Sequence, residues 1–152
     1  MRIVGKAVCL MLVSVAPACA VEPLIGLWQM IYQKLGAEQV APLPIALRVT
    51  QSGDALHFEY LKNKELELTR SFVVKVDGAS APITDPNGST LGMARLKKVS
   101  ATEYRLSMQA PGRPSEPGTL AITEGGVILR CESEAILPDK GRTHIVQVFA
   151  KQ

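Results

Sequence analysis

The sequence predicts an all-β chain, an antiparallel up-and-down meander closed into a barrel of roughly 8 to 10 strands. Three observations carry that prediction. From residue 45 to the C-terminus, short runs that alternate apolar and polar residues follow one another, separated by clusters of Gly, Pro, Asn and Asp. Nowhere does the pattern ask for more than one helical turn, and no internal repeat of useful length is present. A meander this long also leaves two unpaired edges, which curling into a barrel removes. A two-sheet sandwich fits the alternation too, but it keeps its edges.

Residues 24–35 are apolar without clean alternation, as a first strand crossing the barrel floor would be, with room for a helical turn before Gly36. Gly26-Leu27-Trp28 opens it: glycine lets the chain bend across the floor, and tryptophan plugs that floor. Residues 37–44, closed by Pro42 and Pro44, form a loop. Residues 45–51 and 55–60 then alternate on either side of Ser52-Gly53-Asp54, a hairpin signal. A turn at 62–64 leads into a long strand over 65–76, ended by the turn marker Asp77-Gly78. Residues 79–88 are turn-rich and leave at most a brief strand at 81–84. The strand over 89–99 has a thin face at Gly92 and Ala94, the mark of a bulge or a close backbone approach. Residues 103–109 alternate most cleanly, with Tyr104, Leu106 and Met108 on one face. Residues 110–118 hold three prolines and two glycines and form the most exposed loop. Strands over 119–123, 127–136 and 143–150 complete the chain, divided by Glu124-Gly125-Gly126 and by residues 138–141.

Ahead of this pattern, residues 1–20 read as a signal peptide. Arg2 and Lys6 make a basic start, an apolar run too short to span a bilayer follows, and Ala18-Cys19-Ala20 is a small-x-small cleavage signal after Pro17. A lipoprotein anchor at Cys19 is the competing reading; against it stand Ala16, where such signals usually have leucine, and Pro17 within the box. The barrel domain is then residues 21–152, one ordinary domain without a transmembrane segment, exported to the periplasm or beyond it. The whole chain carries 17 basic and 14 acidic residues, a net charge of +3. Loss of Arg2 and Lys6 leaves the domain nearly neutral, so no nucleic-acid surface is implied. Two of the three cysteines fall in the leader, which leaves Cys131 without a partner for an internal disulfide.

Gly26-Leu27-Trp28, the stretch 72–78 with Pro82-Ile83 after it, the stretch 123–129, and the ending 146–152 occur in an order that resembles small exported bacterial proteins of lipocalin-like type. The resemblance covers most of residues 21–152. It departs at Glu124-Gly125-Gly126, where the family usually has Asp-Gly. It implies a calycin-type barrel with one closed and one open end, the open end often admitting a small apolar molecule. It also implies a late basic residue packed on Trp28, a part that Lys151 and Arg130 are both placed to take.

Little in the chain offers catalytic chemistry. There is no phosphate loop, His-Glu-x-x-His, Cys-x-x-Cys or nucleophile elbow, so no enzyme activity, metal or cofactor is expected. His57 and His144 lie far apart in sequence, with no third ligand beside either. Cys131 shares an apolar face with Val127 and Leu129, where it reads as a buried thiol. Glu65 with Glu67, and Glu132 with Glu134, are paired carboxylates that alternation places on the outer face. Arg70 is different. It shares parity with Leu66, Leu68, Phe72, Val74 and Val76, and an arginine on an apolar face is costly unless paired, so it is a candidate anchor for a ligand carboxylate. A one-residue bulge would turn it outward.

The reading that results is an exported, non-enzymatic binding protein for a small hydrophobic or amphipathic molecule. Phe58, Tyr60, Phe72, Tyr104, Leu106 and Met108 would line the interior, with Arg70 as polar anchor. The alternative is a protein-interaction barrel, an inhibitor or envelope accessory factor, whose interior is packed shut and which works through the loop at 110–118.

Overall fold

The computed structural model describes residues 22–152; the signal-peptide and Cys19 assignments lie outside the described residues. Eleven strands run in chain order: β1 (Gly26–Leu35), β2 (Glu38–Val40), β3 (Ile45–Ser52), β4 (Ala55–Lys62), β5 (Glu67–Val74), β6 (Asp77–Thr84), β7 (Thr90–Lys98), β8 (Glu103–Gln109), β9 (Glu116–Thr123), β10 (Ile128–Leu137) and β11 (Gly141–Lys151). From β3 to β11 each strand pairs antiparallel with the next, β1 pairs with β3 and with β11, and so ten strands close an up-and-down barrel while β2 pairs only with the upper part of β1. Among the described residues the one helical piece is a 3-10 turn at Glu124–Gly126, at the Glu-Gly-Gly turn that the sequence marks.

β1 serves both neighbours by bending. Ile31 is skipped in the register with β11, and this bulge moves the inward face from Trp28 and Met30 to Gln33 and Leu35. The extra residue, and not a helical turn, is what breaks the alternation of residues 24–35, and it leaves Ile31 exposed.

Gly92 behaves as the thin face of its strand predicted. A Cβ there would come within 2.2 Å of the Gln109 carbonyl oxygen, and the register slips beside it, between Ile83 and Thr84. Asp77-Gly78, by contrast, is not the turn. The chain reverses at Lys75-Val76, and Asp77-Gly78 opens a strand of eight residues where only a brief one was expected. The turn chemistry of the dipeptide is still used: the Ala79 N–H donates to the Asp77 carboxylate at 2.9 Å, and Gly78 takes φ 87°. β5 and β6 meet in register only at Ser71 and Thr84, and β6 contains Pro82, which has no N–H to give. Phe72, Val74, Ala81 and Ile83 bury their side chains along this seam.

Strand direction sorts the core into two halves. Toward the end that holds the N-terminal residues, Trp28, Phe58, Leu96, Tyr104 and Leu129 are fully buried and pack together. The floor is built as the Gly-x-Trp motif implies. The Trp28 indole N–H donates to the Leu24 carbonyl at 2.8 Å, and the Lys151 ammonium sits 5.1 Å from the ring centroid. Lys151 therefore takes the part left open between it and Arg130, which instead pairs with Glu132 at 2.5 Å. Gly26 lies directly across this contact, and a Cβ there would come within 2.6 Å of the Lys151 Cε.

Glu22 completes the floor. Its carboxylate accepts hydrogen bonds from the Tyr104 hydroxyl and, at 3.0 Å, from the Lys98 ammonium. Burial pushes its pKa upward, but these two donors outweigh burial and hold it below the ordinary value. The same contact, added to burial, raises the Tyr104 phenol well above its usual range.

Candidate functional site

The opposite end is not filled. A cavity of about 260 Å³ opens among the upper parts of the strands, just under the range of roughly 300–1,000 Å³ usual for drug-sized ligands. Four of the seven residues proposed from the sequence line it: Tyr60, Arg70, Leu106 and Met108. The other three are inward-facing and lie deeper. Phe72 and Phe58 are one pleat below Arg70 and Tyr60, paired directly across β4 and β5 and stacked at 4.9 Å between centroids; Tyr104 is one pleat below Leu106. These three form the packed bed beneath the cavity.

Arg70 reaches this position in spite of a bulge beside it. Thr69 is the residue skipped in the register between β4 and β5, and its hydroxyl donates to the Tyr60 carbonyl at 2.9 Å. The slip redirects Leu68 and Glu67 but leaves Arg70 in phase with Phe72 and Val74, facing inward. The guanidinium carbon stands 4.3 Å from the centroid of the Tyr60 ring, a stacked cation–π contact. No ion pair among the described residues includes Arg70. A guanidinium carries five N–H donors, so one held in a cavity by an aromatic face alone keeps its capacity for a bidentate acceptor.

Two titratable groups that line the cavity with it, Tyr60 and Cys131, are neutral at physiological pH. Burial pushes the Tyr60 phenol up to about 12, with the Arg70 charge pulling only partly the other way. Burial likewise pushes the Cys131 thiol up to about 12, which makes it a poor nucleophile and a small apolar wall element. Cys131 is inward with Leu129, as the alternation indicated, whereas Val127, placed on the same face by the sequence, precedes β10 and is exposed; the cross-strand partner of Cys131, Gln147, also lines the cavity, opposite buried Gln33 on β1. The chamber thus joins an apolar wall of Leu106, Leu120, Ile83 and Phe149 to a polar side carrying Arg70 and Gln147.

Arg113 and Glu116, at the mouth, were not anticipated. Arg113 sits on the proline-rich connection between β8 and β9, where no periodicity marks which side chains turn toward the opening, and Glu116 opens β9 within what the sequence reads as that loop. Leu91 at the same mouth is the residue skipped in the register beside Gly92, so alternation misplaces it. The paired carboxylates at 132 and 134 are engaged on the outer face: Glu132 with Arg130 and with His144 at 3.4 Å, and Glu134 with Arg142 at 3.0 Å. Among the described residues no three His, Cys, Asp or Glu side chains gather as a metal would require. No helix among them is long and apolar enough to cross a membrane.

A closed antiparallel barrel of ten strands, with almost no helix among the described residues and a chamber at one end, has the form of a lipocalin-like barrel. No protein-family model matches the chain, and no curated protein does. A solved structure that it resembles is the zebrafish ileal bile acid-binding protein complexed with cholic acid, with a TM-score of 0.56 over 86% of this chain and 99% of that one, at 16% sequence identity. At that identity the likeness shows a shared fold and nothing finer.

Proposed function

We propose that the protein is an exported, non-enzymatic carrier that binds a small amphipathic molecule with an anionic head. The apolar part lies against Leu106, Met108 and Tyr60, and the head meets Arg70. One observation carries this reading: a guanidinium held inside the cavity, stacked on Tyr60 and in no ion pair among the described residues. A partly buried arginine that is in no ion pair carries an electrostatic cost, which a ligand carboxylate in direct contact offsets. Phe58, Phe72 and Tyr104 hold the floor on which the ligand rests. The likeness to a barrel crystallised with cholic acid supports a small hydrophobic ligand in general. Export rests on the leader-like residues 1–20.

The test is titration of the purified protein with a carboxylated apolar fluorescent probe, alongside a matched probe with a neutral head. The carrier reading expects saturable uptake of the carboxylated probe, and in Arg70→Met a drop of roughly tenfold to a hundredfold in its affinity, the worth of one charge-assisted bidentate contact, with little change for the neutral probe. No uptake of either probe favours the packed barrel acting through its exposed loop.

A further inference from the structure

Away from the cavity, the outer faces of β7 to β10 carry an ordered charge pattern. Ala94, Leu96, Tyr104 and Leu106 point inward, so Arg95, Lys97 and Arg105 face solvent. Lys97 stands directly across from Arg105, a like-charge juxtaposition that a sheet ordinarily avoids. None of the three takes part in an ion pair among the described residues. The register continues from Arg105 to Thr119 on β9 and from Thr119 to Glu132 on β10, with Glu134 one pleat further. Across four neighbouring strands the row reads basic, basic, neutral, acidic. Because the β9 positions Pro117, Gly118 and Thr119 are small and uncharged, a shallow trough runs between the basic and the acidic side.

We propose that this face is a self-association surface, on which a second copy of the chain docks face to face about a two-fold axis running along β9. The charge order selects that axis. Rotation about a line parallel to β9 brings the basic strip of each copy over the acidic strip of the other, whereas rotation about a line across the strands sets like over like. In the first arrangement Arg105 faces the second copy's Glu132 and Arg95 lies near its Glu134, and each contact occurs twice, as a two-fold requires. The small residues of β9 let the two sheets approach along the axis. In the single chain the acidic strip is occupied by exposed Arg130, Arg142 and His144. Surface pairs of this kind are weak and exchange readily, so they do not block the contact. Charge complementarity without a broad apolar centre fixes orientation more than it supplies affinity, so the dimer is weak and sensitive to salt.

The experiment is sedimentation velocity over a concentration series at low and high salt, on the protein as its host processes it, with two charge-reversed variants. One carries Lys97→Glu and Arg105→Glu; the other carries Glu132→Lys and Glu134→Lys. All four positions are on the outer surface, and thermal melts confirm that each variant folds. The wild-type protein is expected to dimerise at low salt, with affinity falling by about tenfold or more as the Debye length shrinks. Each variant alone is expected to stay monomeric, because its two strips then carry the same sign. An equimolar mixture is expected to dimerise again, because both contacts become attractive between unlike copies. A monomeric wild-type protein at every concentration, a variant that dimerises like wild type, or a mixture that fails to associate would each overturn the proposal. So would a monomer that instead captures inorganic polyphosphate through Lys97 and Arg105, which would make the basic strip an anion surface.

Discussion

Replacing Tyr104 by Phe removes one oxygen from the barrel floor and nothing else. The ring is fully buried, and its packing against the core is retained. What is lost is the hydroxyl's hydrogen bond to the Glu22 carboxylate, which also holds Lys98 at 3.0 Å. A hydrogen bond to a charged acceptor contributes about 1.5–3 kcal/mol when buried; because the Glu22–Lys98 pair is partly exposed, about 1–2 kcal/mol is the expected loss. For a domain of this size that is roughly 4–8 °C in melting temperature, at about 4 °C per kcal/mol. The pH dependence follows from the sign of the shift. The Glu22 pKa is lowered in the folded protein, so its contribution is fully present above the ordinary carboxylate pKa and is lost as pH falls through the depressed folded value. Wild type and Tyr104→Phe are therefore expected to differ most near neutral pH and to converge in acid. Thermal melts followed by circular dichroism from neutral pH down to strongly acidic buffer would show this. A difference that is absent at neutral pH, or that widens in acid, would refute the account of the floor as a carboxylate latch.

Gly26→Ala forces a side chain into a backbone at φ 149° and against the Lys151 Cε, so a loss of about 1–3 kcal/mol is expected in chemical denaturation. Trp28→Ala empties the centre of the same floor and should cost about 3–5 kcal/mol by the same assay; a loss under 1 kcal/mol would mean that the motif does not anchor the fold. Cys131, with its thiol pushed up to about 12, should alkylate far more slowly at pH 8 than a free thiol, and a cavity-bound carboxylated probe should slow it further, as mass spectrometry of the labelled peptide would report.

The barrel was legible wherever one strand face is apolar and the other polar. The alternation of residues 103–109 placed Tyr104, Leu106 and Met108 inward, and that of residues 45–60 placed the β3–β4 hairpin. Arg70 was legible for the same reason, as a charge in an apolar phase. What alternation does not carry is a change of phase. Ile31, Thr69 and Leu91 are each skipped in a register, and the irregular reading of β1 and the missed Leu91 both trace to such slips. β6 was undervalued because Pro82 and Asp77-Gly78 are turn chemistry by composition, yet neighbouring strands hold them extended. Depth was also out of reach. Parity assigns Phe58, Phe72 and Tyr104 to the same inner face as Tyr60 and Met108, and only strand direction shows that the first three are floor and the other two are wall.

The most direct test of the carrier reading is native mass spectrometry of the protein purified from its own host, followed by denaturing extraction of whatever is bound. The account predicts a reproducible adduct of one small anionic, amphipathic molecule that is lost or much reduced in Arg70→Met. A clean chain mass in wild-type protein across independent preparations, together with no uptake of the carboxylated probe, would contradict it.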